Sequence, residues 1–356
     1  MTSSAAPLPA DSPAPRAVLV GCGDVGTRIG TRLLDRGFSV TGWRRSPERL
    51  PAAFDGAAMD LTEESSIPTL PSDTAAVVFS PAAGTRDPER YEQVYLRGLE
   101  RVLDRITQAG LAETVQVLLV SSTSVLGDAQ GRVDESAALT PASPTGEILA
   151  RTEALLQQWR EAGVESSARA RSGILRLSGI YGPGRDRLIK QLRYGAVGEA
   201  AGQDDHDAWR ISNRIHSDDA ARAAVELLTA AAPPALVLGV DKLPVPLGVV
   251  HNWMADQLEL PRPWSDPRLA PEVLDSVPLN SPVRRHGDSP SGSVLTDSGL
   301  SGADMSSADP AGADIFTSEL LRAGHGKALD GSLLHRLLGE LLHPDFRSGY
   351  TAALRE

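Results

Sequence analysis

The sequence predicts an α/β protein, built on a doubly wound parallel sheet with a smaller C-terminal lobe. Three observations lead to this class. Short apolar runs alternate with segments of helical period from Arg16 to about Val240. Those runs are apolar along their whole length, as strands covered on both faces must be. The first run opens into a glycine turn, Gly21-Cys22-Gly23-Asp24-Val25-Gly26, that leads straight into an amphipathic helix.

Ala17-Val18-Leu19-Val20 is the first strand. Val25, Ile29, Leu33 and Leu34 mark one side of the following helix, which Gly37 stops. Ser39–Trp43 reads as a second strand, Ala57–Asp60 as a weak third, and Ala75–Phe79 as a fourth that Ser80-Pro81 closes. Tyr91, Tyr95, Leu99, Val102, Leu103 and Ile106 recur at helical spacing up to Gly110. Val115–Val120 is the most apolar strand, and Glu147–Glu161 is a helix that ends at Gly163. Gly173–Leu177 and Ala235–Val240 complete the strands, with a helix over Ser217–Thr229 between them. Crossovers between parallel strands are right-handed, which makes this a Rossmann-type sheet.

Residues 16–180, completed by about 205–240, are therefore expected to form the nucleotide-binding domain. Residues 181–204, 241–281 and 321–356 form the smaller lobe. It contains a helix around Leu247–Leu258 and a final helix whose apolar face is Leu333, Leu334, Leu337, Leu338, Leu341 and Leu342. Residues 1–15, rich in Ala, Pro and Ser, lack the charged and apolar regions of a secretory signal and read as a disordered tail. Residues 282–320, rich in Ser, Gly, Asp and Ala, read as a flexible insertion.

Composition narrows the function classes. With 41% hydrophobic and 23% charged residues the chain has the make-up of a soluble globular protein. A net charge of −11 argues against nucleic-acid binding, which needs a basic face. A single cysteine, Cys22, excludes an internal disulfide and a cysteine-based zinc cluster, and fits a reducing compartment. No stretch approaches the roughly 18 apolar residues of a membrane helix. A cytoplasmic protein without membrane partners is expected.

The glycine turn carries the first functional reading. Gly21 permits the tight turn, Gly23 lets backbone approach a pyrophosphate, and Gly26 lets the helix pack against the strand. Asp24 and Val25 open that helix, whose unpaired N–H groups face the phosphates. A dinucleotide is the expected ligand. NAD-preferring sites place a carboxylate at the end of the second strand, whereas here Arg44 and Arg45 stand there. Guanidinium forks match a 2′-phosphate, so NADP(H) is expected over NAD(H). Asp60-Leu61 can hold the adenine edge, although Asp60 also suits a cap before Thr62-Glu63-Glu64. Ser80 and Pro81, at the end of the fourth strand, border the same ligand.

Beyond the turn, Val120-Ser121-Ser122-Thr123-Ser124-Val125-Leu126-Gly127 resembles the strand-end motif of the extended short-chain dehydrogenases/reductases, the group of sugar-nucleotide epimerases and dehydratases. Leu175-Arg176-Leu177-Ser178-Gly179-Ile180-Tyr181-Gly182-Pro183-Gly184-Arg185 resembles its sixth-strand segment. Asn213-Arg214-Ile215-His216-Ser217-Asp218-Asp219-Ala220 resembles the segment leading into its next helix. The resemblance runs from Arg16 to Thr229. It implies a Ser that orients the substrate oxygen, a Tyr that acts as general acid/base, and a Lys that lowers the Tyr pKa. A phenol near pKa 10 needs such a cation to work at neutral pH. Ser122 matches the Ser. Thr145 stands in the Tyr place and Leu149 in the Lys place, and no Tyr-x-x-x-Lys occurs elsewhere. The chain thus resembles an atypical subgroup. The resemblance also implies a homodimer.

Tyr181 and His216 are candidate replacements for the missing proton carrier, set against a turn-packing tyrosine and a loop-fixing histidine. Arg97, Arg101 and Arg105 form one solvent-facing helical stripe. His335 and His343 have no partner at ligand spacing, so no metal is expected. Two functions stand: an NADP-dependent reductase, epimerase or dehydratase acting on a small substrate, and a non-catalytic NADP(H) sensor. Polar groups over the nicotinamide favour the first; an apolar block beginning at Leu149 favours the second.

Overall fold

The computed structural model describes residues 14–162, 172–276 and 318–354. Its strands are β1 (Arg16–Val20), β2 (Ser39–Arg44), β3 (Asp55–Ala58), β4 (Thr74–Phe79), β5 (Gln116–Ser122), β6 (Gly131–Val133), β7 (Ser172–Leu177), β8 (Gly179–Tyr181), β9 (Ile211–Ser212), β10 (Arg214–His216), β11 (Leu236–Gly239), β12 (Val245–Pro246) and β13 (Lys327–Leu329). Its α-helices are α1 (Asp24–Leu34), α2 (Pro88–Tyr91), α3 (Arg97–Gln108), α4 (Pro144–Ala162), α5 (Arg187–Arg193), α6 (Asp205–Trp209), α7 (Ser217–Thr229), α8 (Leu247–Gln257), α9 (Glu319–Ala323), α10 (Ser332–Leu338) and α11 (Phe346–Ala353). A π-turn, Glu92–Leu96, joins α2 to α3.

Seven strands form one sheet in the order β11-β7-β5-β4-β1-β2-β3, and every pairing in it is parallel. The order reverses direction between β1 and β4, which opens a crevice at the carboxyl ends of those two strands. Alternate residues divide between two cores, because successive strand side chains point to opposite faces. Ala17, Leu19, Ala76, Val78 and Leu118 pack with α1 and α7. Val18, Val20, Val77, Phe79 and Leu119 pack with α3 and Leu156 of α4. A third core joins Tyr181, Ile189, Val249, Met254, Trp264, Phe346 and Tyr350.

Three expectations are corrected. The third strand lies earlier than Ala57–Asp60, at Asp55–Ala58, because it pairs in register with Thr41–Arg44 of β2. Asp60 is thereby left beyond the sheet. The final leucine-rich helix stops at Leu338, where Gly339 takes a φ of +71°, and α11 is a separate helix. Finally, α10 does not join the third core: Leu334, Leu337 and Leu338 pack with α7. The expected tail over 1–15 and insertion over 282–320 lie outside the described residues, except for 14–15 and 318–320.

A buried polar network pins α4 to the sheet. Ser121 Oγ donates to Glu153 Oε1 at 2.6 Å. Arg176 Nε and Nη2 donate to the same carboxylate at 3.1 and 2.8 Å. Glu153 is 1% and Arg176 4% exposed. Removing one member of a buried pair strands a charge, so Glu153→Leu should destabilise the protein by about 3–5 kcal/mol, whereas the double change Glu153→Leu/Arg176→Met should recover most of the loss. Denaturant unfolding of the two variants checks this. Equal destabilisation in both would refute it.

Candidate functional site

The crevice is made by loops at the carboxyl ends of β1, β2, β4, β5 and β7. Its floor is the glycine turn. Gly21 and Cys22 both donate backbone N–H to Trp43 O at 3.0 Å, and Ser80 N–H donates to Val20 O at 2.9 Å. The turn is thus tied to β2 on one side and to the end of β4 on the other. Gly21 has a φ of +76°, and a Cβ there would lie 2.5 Å from Pro81 Cα. The requirement at this position is both conformational and steric. A Cβ on Gly26 would meet Ser80 Oγ at 3.2 Å, which fits close packing of α1 on the sheet. A Cβ on Gly23 meets only Gly21 O, at 3.8 Å. No protein atom crowds Gly23, so its bare backbone leaves room for a ligand to approach.

Two clefts leave this floor, and both are lined by Gly21, Gly23, Pro81 and Ala82. The first, of about 430 Å³, runs over the ends of β2 and β3 and is lined by Arg44, Arg45, Arg49, Arg90, Asp60 and Leu61. Four guanidiniums face one carboxylate, so the cleft attracts anions. Asp60 Oδ1 accepts from Thr62 N–H at 3.0 Å and from Thr62 Oγ1 at 2.8 Å. The backbone N–H of Thr62 holds the Asp60 carboxyl below the usual carboxylate range. The capping reading of Asp60 therefore describes its contacts, while the residue also lines the cleft.

The second cleft, of about 480 Å³, runs over β4, β5 and β7. Ser80, Ser122, Ser124, Ser143, Thr145 and Ser178 line it, with Asp24, Val25, Arg86, Tyr91, Leu149 and Arg185; the Ser178 hydroxyl donates to Gly239 O at 2.8 Å. Ser122 Oγ accepts from Ser124 N–H at 3.2 Å, which caps the short turn after β5 and leaves the hydroxyl hydrogen for a ligand. Ser80 Oγ is buried without a partner. Ser143 and Thr145 hydroxyls lie 3.2 Å apart. Asp24 pairs with Arg28 and Arg185, each at 3.0 Å.

The fold brings together Gly21, Gly23, Asp24, Val25, Arg44, Arg45, Asp60, Leu61, Ser80, Pro81 and Ser122. It does not bring Tyr181 or His216 to either cleft. Tyr181 is buried in the third core, stacks on Tyr350 at 4.7 Å, and donates its hydroxyl to Asp345 O at 3.0 Å. Burial pushes its phenol above the ordinary value. His216 Nδ1 accepts from Asp218 N–H at 3.2 Å and so caps α7. Its ring lies against that of His343, with centroids 3.6 Å apart. Both side chains are buried, in the strands β8 and β10 that pair with each other.

His343, which had no partner at ligand spacing, meets His216 and Asp218 through the fold, with donor atoms within 4.8 Å. Two of these groups have other partners. Asp218 pairs with Arg28 at 2.8 Å and with Arg32 at 3.5 Å, and His216 Nδ1 holds the cap. The arginine stripe is also revised, since Arg101 donates to Leu61 O at 2.7 Å and supports the loop after β3. Sequence reasoning passed over Arg49, Arg86, Arg90 and Tyr91. Each sits in a loop or short helix without a motif, so only the carboxyl-edge position of their loops signals them.

A seven-stranded parallel sheet with a glycine turn at its switch point is a dinucleotide-binding α/β fold. Residues 17–239 match the NAD dependent epimerase/dehydratase family, and the chain belongs to it. Protein YeeZ of Escherichia coli K12 is 28% identical over 225 residues, 60% of this chain and 73% of YeeZ. A solved structure of a candidate NAD-dependent epimerase/dehydratase from Methylobacillus flagellatus is 26% identical, with a TM-score of 0.62 over 97% of this chain and 100% of that one. The UDP-glucuronic acid 4-epimerase of Bacillus cereus, solved with NAD, is 19% identical and shares the fold, with a TM-score of 0.54 over 70% of this chain and 88% of that one. No helix among the described residues is long and apolar enough to cross a membrane.

Burial, with His343 alongside, pushes the His216 imidazole down to about 4. Burial pushes His335 to about 4 and His251 to about 3. Unfolding returns each to about 6.5, so the unfolded chain binds more protons below that pH. Stability should be complete above pH about 6.5 and fall as the pH drops towards 4. Melting midpoints from pH 8 to pH 5 check this. His216→Asn, which can keep the cap, should flatten the slope; an unchanged slope would remove His216 from the account.

Proposed function

We propose that this protein is an NADP(H)-dependent enzyme of the epimerase/dehydratase/reductase type that acts on a small polar substrate. The observation that carries this reading is the joining of the two clefts at the glycine turn. One is lined with guanidiniums and the other with hydroxyls, so together they form a single track with an anion-binding end and a hydrogen-bonding end. Gly21, Gly23 and Gly26 would hold the pyrophosphate against the start of α1. Arg44 and Arg45 would hold a 2′-phosphate, and Asp60 and Leu61 would border the adenine. When bound, the dinucleotide supplies the nicotinamide that exchanges hydride. Ser122 would orient the reacting oxygen of the substrate. The single thiol of Cys22 supports a cytoplasmic location, and the family likeness supports a homodimer.

A second reading is a non-catalytic NADP(H) sensor. It is favoured by Thr145 and Leu149, which line the hydroxyl cleft at the places of the family's Tyr and Lys and can neither ionise nor carry charge. The surrounding hydroxyls favour the enzyme.

Titration with NADPH and NADH, followed by nicotinamide fluorescence, tests the reading. Tight NADPH binding and weaker NADH binding are expected. Arg44→Ala/Arg45→Ala should weaken NADPH roughly tenfold or more while leaving NADH within about threefold. Equal loss for both nucleotides would refute the 2′-phosphate assignment. Gly21→Ala should abolish binding of both, because its Cβ would run into Pro81; retained binding would show that the turn is not the phosphate site.

A further inference from the structure

We propose that Arg185 is a clasp for the bound dinucleotide: it leaves Asp24 and closes on the pyrophosphate when the nucleotide enters. The proposal rests on the nucleotide-binding reading above and adds a pyrophosphate-binding side chain from outside the glycine motif.

Arg185 reaches the glycine turn from a strand outside the seven-stranded sheet. It ends the tight turn Gly182-Pro183-Gly184-Arg185 after β8, which is closed by Arg185 N–H donating to Gly182 O at 3.0 Å. That turn is seated on the start of α7. A Cβ on Gly182 would lie 2.6 Å from Ser217 Oγ and 2.8 Å from His216 Nε2. The long side chain of Arg185 then crosses to the first residue of α1. Its Nε donates to Asp24 Oδ2 at 3.1 Å, and its Nη2 lies 3.0 Å from the same oxygen. Nη1 has no partner among the described residues. The side chain lines the hydroxyl cleft together with Gly21, Gly23, Asp24 and Val25, the floor on which the pyrophosphate would rest. Arg86 and Arg185 are the two cations that line this cleft, and Arg185 is the one held at the glycine turn.

The charges around Asp24 allow Arg185 to leave it. Asp24 Oδ1 accepts from Arg28 Nε at 3.0 Å. Arg28 Nη1 donates to Asp218 Oδ1 at 2.8 Å, and Arg32 lies 3.5 Å from that same oxygen. Three guanidiniums thus serve two carboxylates, so Asp24 stays paired when Arg185 moves. The Arg185–Asp24 pair is open to solvent, with 34% of one side chain and 42% of the other exposed. An exposed pair of this kind holds its partners weakly. A pyrophosphate offers more, because it carries two charges and its oxygens match the guanidinium fork. Asp24 is also the one carboxylate lining this cleft, and it sits in the first turn of α1. There its charge opposes the phosphates that the helix terminus attracts. Arg185 answers that opposition: it masks the carboxylate in the empty site and turns to the phosphates in the filled one.

Nicotinamide fluorescence titration of three variants tests the clasp. Arg185→Ala should weaken NADPH and NADH alike, each by roughly tenfold, because both carry the pyrophosphate. Arg185→Lys, which keeps the charge but not the fork, should recover part of the loss. Asp24→Asn decides between a clasp and a structural tie. A tie that acts only by anchoring the turn to α1 would be lost equally in Arg185→Ala and Asp24→Asn. A clasp that moves onto the phosphates needs no carboxylate in the filled site. Asp24→Asn should therefore bind both nucleotides at least as tightly as the unmodified protein, since a repelling charge has gone. Equal loss in Asp24→Asn and Arg185→Ala, or undiminished binding in Arg185→Ala, would overturn the proposal. So would a loss in Arg185→Ala confined to NADPH, which would assign Arg185 to the 2′-phosphate. Absence of nucleotide binding in the unmodified protein would sink the nucleotide reading itself, while normal binding that ignores Arg185→Ala would sink the clasp alone.

Discussion

The site depends on one contact, the passage of the Gly21 backbone against Pro81. The turn after β1 can hydrogen-bond to the end of β2 and still clear the end of β4 because position 21 has no side chain and a φ of +76°. That single constraint brings the carboxyl ends of β1, β2 and β4 to one point. It also aims the start of α1 across the crevice. Both clefts share Gly21 and Pro81 as lining, so a disturbance at this contact would be felt along the whole track.

A second constraint holds the far wall. Helix α4 carries Thr145 and Leu149 towards the hydroxyl cleft and Glu153 into the interior, one turn further along the same face. The bidentate contact from Arg176 and the Ser121 hydroxyl tie that helix to β5 and β7. Burying such a pair brings little net stability over apolar packing. Its effect is orientational: it sets the angle at which α4 presents its first turns to Ser122. The wall is therefore held rigidly even though its two expected catalytic side chains are absent.

The chemistry divides along the track. Four guanidiniums crowd the end over β2 and β3, and one carboxylate, already capping a turn, sits among them. Hydroxyl groups dominate the other end, with charged residues mostly neutralised in pairs. An anion-seeking end and a hydrogen-bonding end are what an extended, asymmetric ligand with phosphates at one end would require.

Much of this was legible in the sequence, because the signals were local. A continuous apolar run, a glycine turn and an amphipathic helix follow one another along the chain, and periodicity alone placed α7 at Ser217–Thr229. The second-strand arginines and the Ser122 motif were likewise read at strand ends. What the sequence could not decide was which side chains meet across distance. Tyr181 and His216 sat in motifs near the expected cleft, but pairing of β8 with β10 turned them into the protein. His343 found His216 from more than a hundred residues away. Tyr91, Arg49 and Arg90 carry no motif, and their place in the clefts follows from how loops converge at the carboxyl edge. Hydrogen bonding and periodicity along the chain determined the elements; the relative placement of those elements, set by sheet order and core packing, determined which residues share a cavity.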